Sequence, residues 1–487
     1  MTVLIKNALV FDGSGKIPFK SDIFINHQRI IRLGNFPHRS AEKVIDARGM
    51  ITIPGFIDIN SSADHYLSLF SDSGQNDILK QGITTIIGGN AGSSLAPLVD
   101  GSLVSIRKWA ESSSINSINV NWHSVAEFLR VLGERKLAVN FGTLIGHSTI
   151  RRAIVGEDFR DLTEKEIKVF NYVLEQGMKD GAFGFSAGLT YAHSHNVGYR
   201  ELEMLAKTVS KYKGIFSIQL RNYSEKLAAA VNEAVSIAKN TGVNLEISEF
   251  EPLKGFDKDY LESVSLTERE RMRVNINFDI APGEVSSVEI YMLLPEWARN
   301  GSLEVMLGNI KNAGIRERIL EYLENINAKD LVIAKVPPFL RFILGKSLKQ
   351  FGEDQNLAPE EALLKLMELS KLRMEVLYKN IDAETLRLAL VSENAIVASG
   401  GALEFLNLVQ REDLMPLEKA VVKATSLPAK KFGIKERGMI VEGNFADIVI
   451  LRDGKPSEVL VNGSVTLENG EARGVFAGRV LKRIPKI

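Results

Sequence analysis

One His-x-His occurs in the chain, His193-Ser194-His195. Imidazoles at that spacing bind a divalent metal when a strand carries them, because alternate side chains leave a strand on the same side. This pair follows a strand and lies in a loop, where nothing aligns the two rings. A replacement metal site of His193, His195 and one glutamate is therefore the weaker reading. Carboxylates are the stronger candidates. Glu249 closes Ile247-Ser248-Glu249, Glu393 closes Val391-Ser392-Glu393, and Glu251 adds a third acid two residues after Glu249. Acids gathered at one mouth can act as general base, since mutual repulsion raises their pKa values. Arg221, just past Phe216-Ser217-Ile218-Gln219, either binds a ligand carboxylate or pairs with a mouth acid; burial of an acid favours the pair. His147 either faces the mouth or is a structural histidine bonded to backbone, the more ordinary of the two. His65, beside Asp64, reads as a surface or lid contact. Ser62 and Ser186 lack a histidine partner at any legible geometry, so a serine nucleophile is not supported. Gly88-Gly89-Asn90 and Gly400-Gly401 read as tight turns rather than phosphate cradles.

The elements that must position these residues alternate. Short apolar runs near 56–59, 83–88, 138–145, 182–186, 215–219, 244–248, 274–279 and 387–392 read as buried strands. Helical stretches such as 164–179, 201–211 and 224–239 lie between them. Repeated βα units in this number favour a closed parallel barrel, whose function sits at the carboxyl ends of the strands. The chain is thus expected to be α/β, a TIM-type (β/α)8 barrel over residues 54–431. Residues 295–380 form a mostly helical elaboration beside the mouth, with helices over 303–327 and 359–379 and the apolar piece 331–336 between them. Both chain ends are β-rich. Residues 3–10, 22–33 and 43–53 read as strands and strand pairs, the second turning at Asn26-His27. Asn462-Gly463 and Asn469-Gly470 separate alternating strands, a strong hairpin signal. Residues 1–53 and 432–487 are therefore expected to make one composite β-sandwich.

Bulk composition excludes several classes. The 487 residues are 45% hydrophobic and 25% charged with zero formal net charge, as in an ordinary globular enzyme. Nothing electrostatic points to nucleic acid or to an acidic membrane. There is no cysteine, so disulfides, thiolate nucleophiles and cysteine-ligated zinc are excluded. No signal-peptide pattern or membrane-length apolar run is evident, and a cytoplasmic location is the expectation.

Several phrases together resemble the amidohydrolase superfamily, in its N-acyl-D-amino-acid deacylase (D-aminoacylase) branch. They include Pro54-Gly55-Phe56-Ile57-Asp58, Gly89-Asn90-Ala91-Gly92, and Ile145-Gly146-His147-Ser148-Thr149. Gly181-Ala182-Phe183-Gly184-Phe185-Ser186-Ala187-Gly188-Leu189-Thr190-Tyr191 and Gly443-Asn444-Phe445-Ala446-Asp447 keep the same order. The resemblance covers essentially the whole chain and implies the barrel. It also implies metal-dependent deacylation, in which zinc polarises an amide carbonyl and generates hydroxide.

The residues at the implied metal positions differ. The two first-strand histidines correspond to Asn60 and Ser62, and the cysteine after the second strand to Ala91. The fifth- and sixth-strand histidines correspond to Gln219 and Glu249, and the general-base aspartate of the eighth strand to Glu393. Zinc requires imidazole, thiolate or carboxylate lone pairs. Glu249 and Glu393 with a weak Gln219 carbonyl would suit magnesium or calcium better, so a divalent metal is the alternative and no cofactor is the expectation. The grip on substrate carboxylate is altered too. Glu251 replaces a lysine, Asp279-Ile280-Ala281-Pro282-Gly283 lacks two tyrosines, and Ala398-Ser399-Gly400-Gly401-Ala402 stands where a His-Pro-Arg loop belongs. The expectation is a zinc-free, inactive homologue that binds a small ligand or a partner through Tyr191, His193, His195, His147, Arg221 and Glu251. The alternative is an amide hydrolase with a rebuilt carboxylate site using Glu249 or Glu393. A homo-oligomeric structural role is the third reading.

Overall fold

The computed structural model describes residues 1–99, 118, 120–299, 301–324, 327 and 329–483. Residues 325 and 326 of the expected 303–327 helix, and 484–487 of the expected C-terminal sandwich, lie outside these. Eight strands pair in parallel in chain order: Phe56–Asp58, Ile83–Gly88, Asn140–Gly146, Gly184–Gly188, Ile215–Gln219, Asn244–Ile247, Ile276–Ile280 and Ala395–Val397. The pleat splits each strand between two cores. Phe216 and Ile218 join the large cluster beneath the surrounding helices. Ile215 instead joins Ile57, Ile87, Leu144, Phe183 and Ile396 in the barrel interior, with Ala429, Phe432 and Ile434 in the same cluster. Further along the same strands the buried positions turn polar, at Ser217, Gln219, Glu246 and Asp279. An apolar plug under a polar mouth is what a barrel site requires.

The first and eighth strands share no ladder among the described pairings. Their ends are joined by a side chain: the Asp58 carboxylate accepts the N–H groups of Asn60 (3.1 Å), Ser399 (2.9 Å) and Gly400 (3.0 Å).

Seven strands fall within a few residues of expectation, and the eighth does not. Residues 387–392 lie in the helix Ala383–Val391 and in the turn after it, and the strand follows at Ala395–Val397. Asp382 caps that helix, its carboxylate accepting the Thr385 N–H at 2.9 Å. Thr385, Leu386, Ala389 and Leu390 are its buried face, a helical spacing.

The elaboration also differs from expectation. Ser286–Glu289, Leu331–Lys335 and Glu375–Tyr378 make an antiparallel sheet. The helices Leu303–Lys311, Ala313–Leu323, Leu348–Gln355 and Pro359–Ser370 pack on it around a separate core. The helix expected over 359–379 stops at Ser370, because Lys371 (φ 52°) and Leu372 (φ 61°) adopt left-handed backbone and turn the chain into a strand.

The chain ends interleave in one nine-stranded sheet. Ile51–Pro54 pairs with Thr2–Val10 on one side and with Ile448–Arg452 on the other, around a core that includes Val3, Ile5, Ile25, Ile448 and Ile450. Asn462 (φ 47°) and Gly463 (φ 77°) make the tight hairpin turn their types predict, whereas the earlier turn falls at His27-Gln28. Among the described residues no helix is long and apolar enough to cross a membrane.

Candidate functional site

The carboxyl ends of the barrel strands open into a cavity of about 1050 Å³, walled on the far side by the elaboration through Val288, Glu289, Met292, Glu375 and Tyr378. Asn60, Ser62, Ala91, Gln219 and Glu249, all expected at the mouth, line it together with Glu251, Tyr191 and Arg221. Gln219 is the last residue of its strand, and the others lie in the short loops just after one, at the mouth.

At the base lies an amide–carboxylate network. Asn60 Nδ2 donates to Asp279 Oδ1 (3.2 Å) and Ser248 Oγ (3.1 Å), and lies 3.5 Å from Glu249 Oε1. Gln219 Nε2 donates to Glu249 Oε2 at 2.5 Å, and the Glu249 N–H donates to Asp279 Oδ1 at 3.0 Å. Glu249 holds a left-handed φ of 53°, uncommon for a residue with a side chain. That conformation carries its carboxylate into the cavity. Burial, and then the charge of Asp279, push Glu249 up to about 7. Asp279 is buried above Glu246, whose Oε1 accepts the Asp279 N–H at 3.1 Å while Ser217 Oγ donates to Oε2 at 2.5 Å. Burial and then Glu246 push Asp279 well above the carboxylate range, since two adjacent buried acids cannot both ionise cheaply. Burial, and then Glu249 and Asp279, raise Glu251 in the same direction.

Other expected residues are placed elsewhere. Glu393 precedes the eighth strand rather than following it; its side chain is 75% exposed and paired with Arg271, away from the mouth. The residue at the carboxyl end of that strand is Ser399, which does line the cavity. With Glu393 gone, the magnesium or calcium set of Glu249, Glu393 and Gln219 is not assembled.

His147 is also away from the cavity. It is fully buried behind the barrel between Phe170 and Phe185, and its Nε2 donates to Glu201 Oε1 at 2.7 Å. Its partner is a carboxylate, not the backbone. His193 Nε2 bonds the Ser148 hydroxyl and its ring stacks on Tyr191, while His195 Nδ1 donates to the Leu189 carbonyl at 3.1 Å. The two rings thus serve different partners, and neither meets a mouth glutamate. Burial lowers the His195 pKa. Arg221 forms an ion pair, but with Glu233 (2.8 Å) rather than with a mouth acid. His65 is 3% exposed and bonds the Ser93 carbonyl at 2.9 Å, so it is a buried brace, not a surface contact. Among the described residues no three His, Asp or Glu side chains converge as a metal site would need.

Sequence reasoning missed Asp58, Tyr66 and Tyr223, and gave Asp279 no role. Asp279 had a signal, an acid at an odd position of the buried run Ile276-Asn277-Phe278-Asp279-Ile280. The tyrosines sit in loops that carry none.

No family model matches the chain. It is 24% identical to the D-aminoacylase of Alcaligenes xylosoxydans xylosoxydans over 99% of this chain and 97% of that one. It is 26% identical to the N-acyl-D-aspartate deacylase of the same organism, over 92% and 85%. Its fold matches the N-acyl-D-glutamate deacylase of Bordetella bronchiseptica, solved with zinc and a phosphonate mimic of the tetrahedral intermediate, with a TM-score of 0.81 at 23% identity and 99% coverage of both chains. Matches of this length, in chain order and on a shared barrel, make the chain a homologue of the D-aminoacylases and N-acyl-D-amino-acid deacylases of the amidohydrolase superfamily.

Proposed function

We propose that this chain keeps the deacylase barrel and its cavity but binds a small ligand there without zinc-dependent amide hydrolysis. The observation that carries this reading is the bonding of Asn60 and Gln219. Both amides present N–H donors to Glu249 and Asp279, so the lone pairs that would face a cation face hydrogens instead. An amide nitrogen has no lone pair for zinc, and the Ala91 methyl has none either. The residues present do not fit a catalytic zinc ion, and no step is routed through one. Protein purified without chelator, then offered zinc, is expected to hold substoichiometric metal by mass spectrometry and to leave N-acyl-D-amino acids intact. A tightly held stoichiometric transition metal together with turnover would overturn the reading.

A second reading is favoured by Glu249 alone. Its carboxylate lines the cavity and is held at two oxygens by neutral donors, with its pKa raised to about 7. That suits a metal-independent general base for hydrolysis of an amide or related bond. A base must be deprotonated, so kcat/KM for any hydrolysed substrate is expected to rise with pH through about 7 and then level. Glu249→Gln would remove the activity, and a flat profile or an active variant would rule this base out.

A further inference from the structure

Charge in the cavity narrows the ligand to one class. Glu249 and Glu251 both line it, and the Glu251 N–H donates to the Glu249 carbonyl at 2.9 Å, a tight turn that keeps both residues on one wall of the cavity. Among the described residues neither acid takes part in an ion pair: Glu249 meets amides, and the charges that act most strongly on Glu251 are the acids Glu249 and Asp279. Two cations of the same wall, Arg221 and Lys379, are paired with acids of their own. Arg221 holds Glu233 and the carbonyls of His195 and Val197, and Lys254 donates to the Lys379 carbonyl at 2.6 Å. Lys379 pairs with Glu284 at 3.4 Å. Arg299 forms no ion pair among the described residues: Nη1 reaches Met292 Sδ at 3.6 Å, and its buried Nε has no hydrogen-bond partner.

The cavity is also aromatic. Tyr66, Tyr191 and Tyr223 line it; Lys335 Nζ already lies 4.6 Å from the Tyr66 ring centroid, a cation held by such a face, and one side of Tyr191 is stacked on His193. Ring faces attract cations, and desolvation in a pocket strengthens that attraction. A free divalent ion is a poorer match, because calcium takes 6–8 oxygen ligands and the nearest amides point N–H groups at the Glu249 carboxylate.

We propose that the cavity binds a small organic cation, an ammonium or amidinium group seated against Glu249 and Glu251 and walled by Tyr66, Tyr191 and Tyr223. This rests on the zinc-free reading above and gives it a ligand class, opposite in charge to an N-acyl amino acid. A bound cation would offset the burial and repulsion that raise Glu249 and Glu251 and so favour their ionised forms, whereas a carboxylate would add to that repulsion.

The test is calorimetric titration of the full chain with a series of arylalkylamines and benzamidine, each matched to its alcohol and its carboxylate. Binding of at least one cation is expected, with the matched alcohol at least tenfold weaker, a difference of about 1.4 kcal/mol, and the carboxylate silent. Glu251→Gln is expected to weaken the cation about tenfold, and Glu251→Lys to abolish its binding, both with unchanged circular dichroism and melting. Silence from every cation, carboxylates that bind as well, or calcium alone binding with loss in Glu251→Gln would each overturn the proposal. Metal content separates the two claims. Stoichiometric zinc with turnover sinks the zinc-free reading, whereas zinc-free protein that prefers carboxylates sinks only the cation.

Discussion

Arg437→Met is expected to lower the stability of the fold by about 3–5 kcal/mol, the usual cost of stranding a buried charge. Arg437 and Asp447 are each 3% exposed and paired. Arg437 also donates to Asn462 Oδ1 at 2.7 Å and lies over the Phe445 ring, 4.0 Å from its centroid. With the guanidinium gone, Asp447 keeps only neutral donors, the Asn462 N–H at 2.7 Å and Asn140 Nδ2 at 3.3 Å. Those donors weaken the loss without replacing the charge. The network reaches beyond the terminal sheet, because Asn140 begins the third barrel strand and its Oδ1 accepts Asn462 Nδ2 at 2.8 Å. The sheet and barrel are thus stitched by one polar cluster, and the variant should loosen both. Guanidinium chloride unfolding followed by circular dichroism measures the loss. Adding Asp447→Asn to the variant should recover part of it, since the stranded carboxylate is then removed. A loss under about 1 kcal/mol in the single variant would mean that solvent reaches the pair and screens it.

The barrel was legible wherever a strand is flanked by glycine turns and carries apolar residues on its outer face. Phe216 and Ile218 reveal their strand in this way, and Ile83 to Gly88 does the same. The eighth strand spans only Ala395–Val397, too short to display a period, and the neighbouring Leu386-Arg387-Leu388-Ala389-Leu390-Val391 run drew the assignment. The mouth expected for Glu393 depended on that longer strand, whereas the fold puts Glu393 at the amino end of Ala395–Val397, paired with Arg271. Residues of the site that end a strand or come just after one, such as Gln219, Asn60 and Glu249, could be placed from order alone. Partners could not. His147 meets Glu201 across 54 positions and Arg221 meets Glu233 across 12, and both pairings depend on how a helix lies against the barrel wall. The network from Asn60 to Asp279 spans 219 positions. No local pattern encodes such distances; they follow only once the strands have closed into a ring.

That closure leads to the second large expected effect. Asp58→Ala should destabilise the fold by about 2–4 kcal/mol, because three N–H groups lose their acceptor together. Asp58→Asn should cost much less. Oδ1 takes the Asn60 and Ser399 N–H groups and Oδ2 only that of Gly400. An asparagine oxygen at the first site therefore keeps two of the three bonds. The amide also removes a charge that burial disfavours, which is why Asp58 is pushed above its ordinary pKa despite three donors. The sign follows by linkage. A carboxyl raised in the folded state contributes stability below its unfolded pKa and loses it as pH rises through the folded value. Asp58→Asn should accordingly be relatively more favourable at neutral pH than near pH 4. Because Asp58, Asn60, Ser399 and Gly400 all line the cavity, opening the seam in Asp58→Ala should also weaken ligand binding there, with Asp58→Asn close to wild type. Equal losses in the two variants would show that the carboxylate charge, rather than its acceptor geometry, holds the first strand to the eighth.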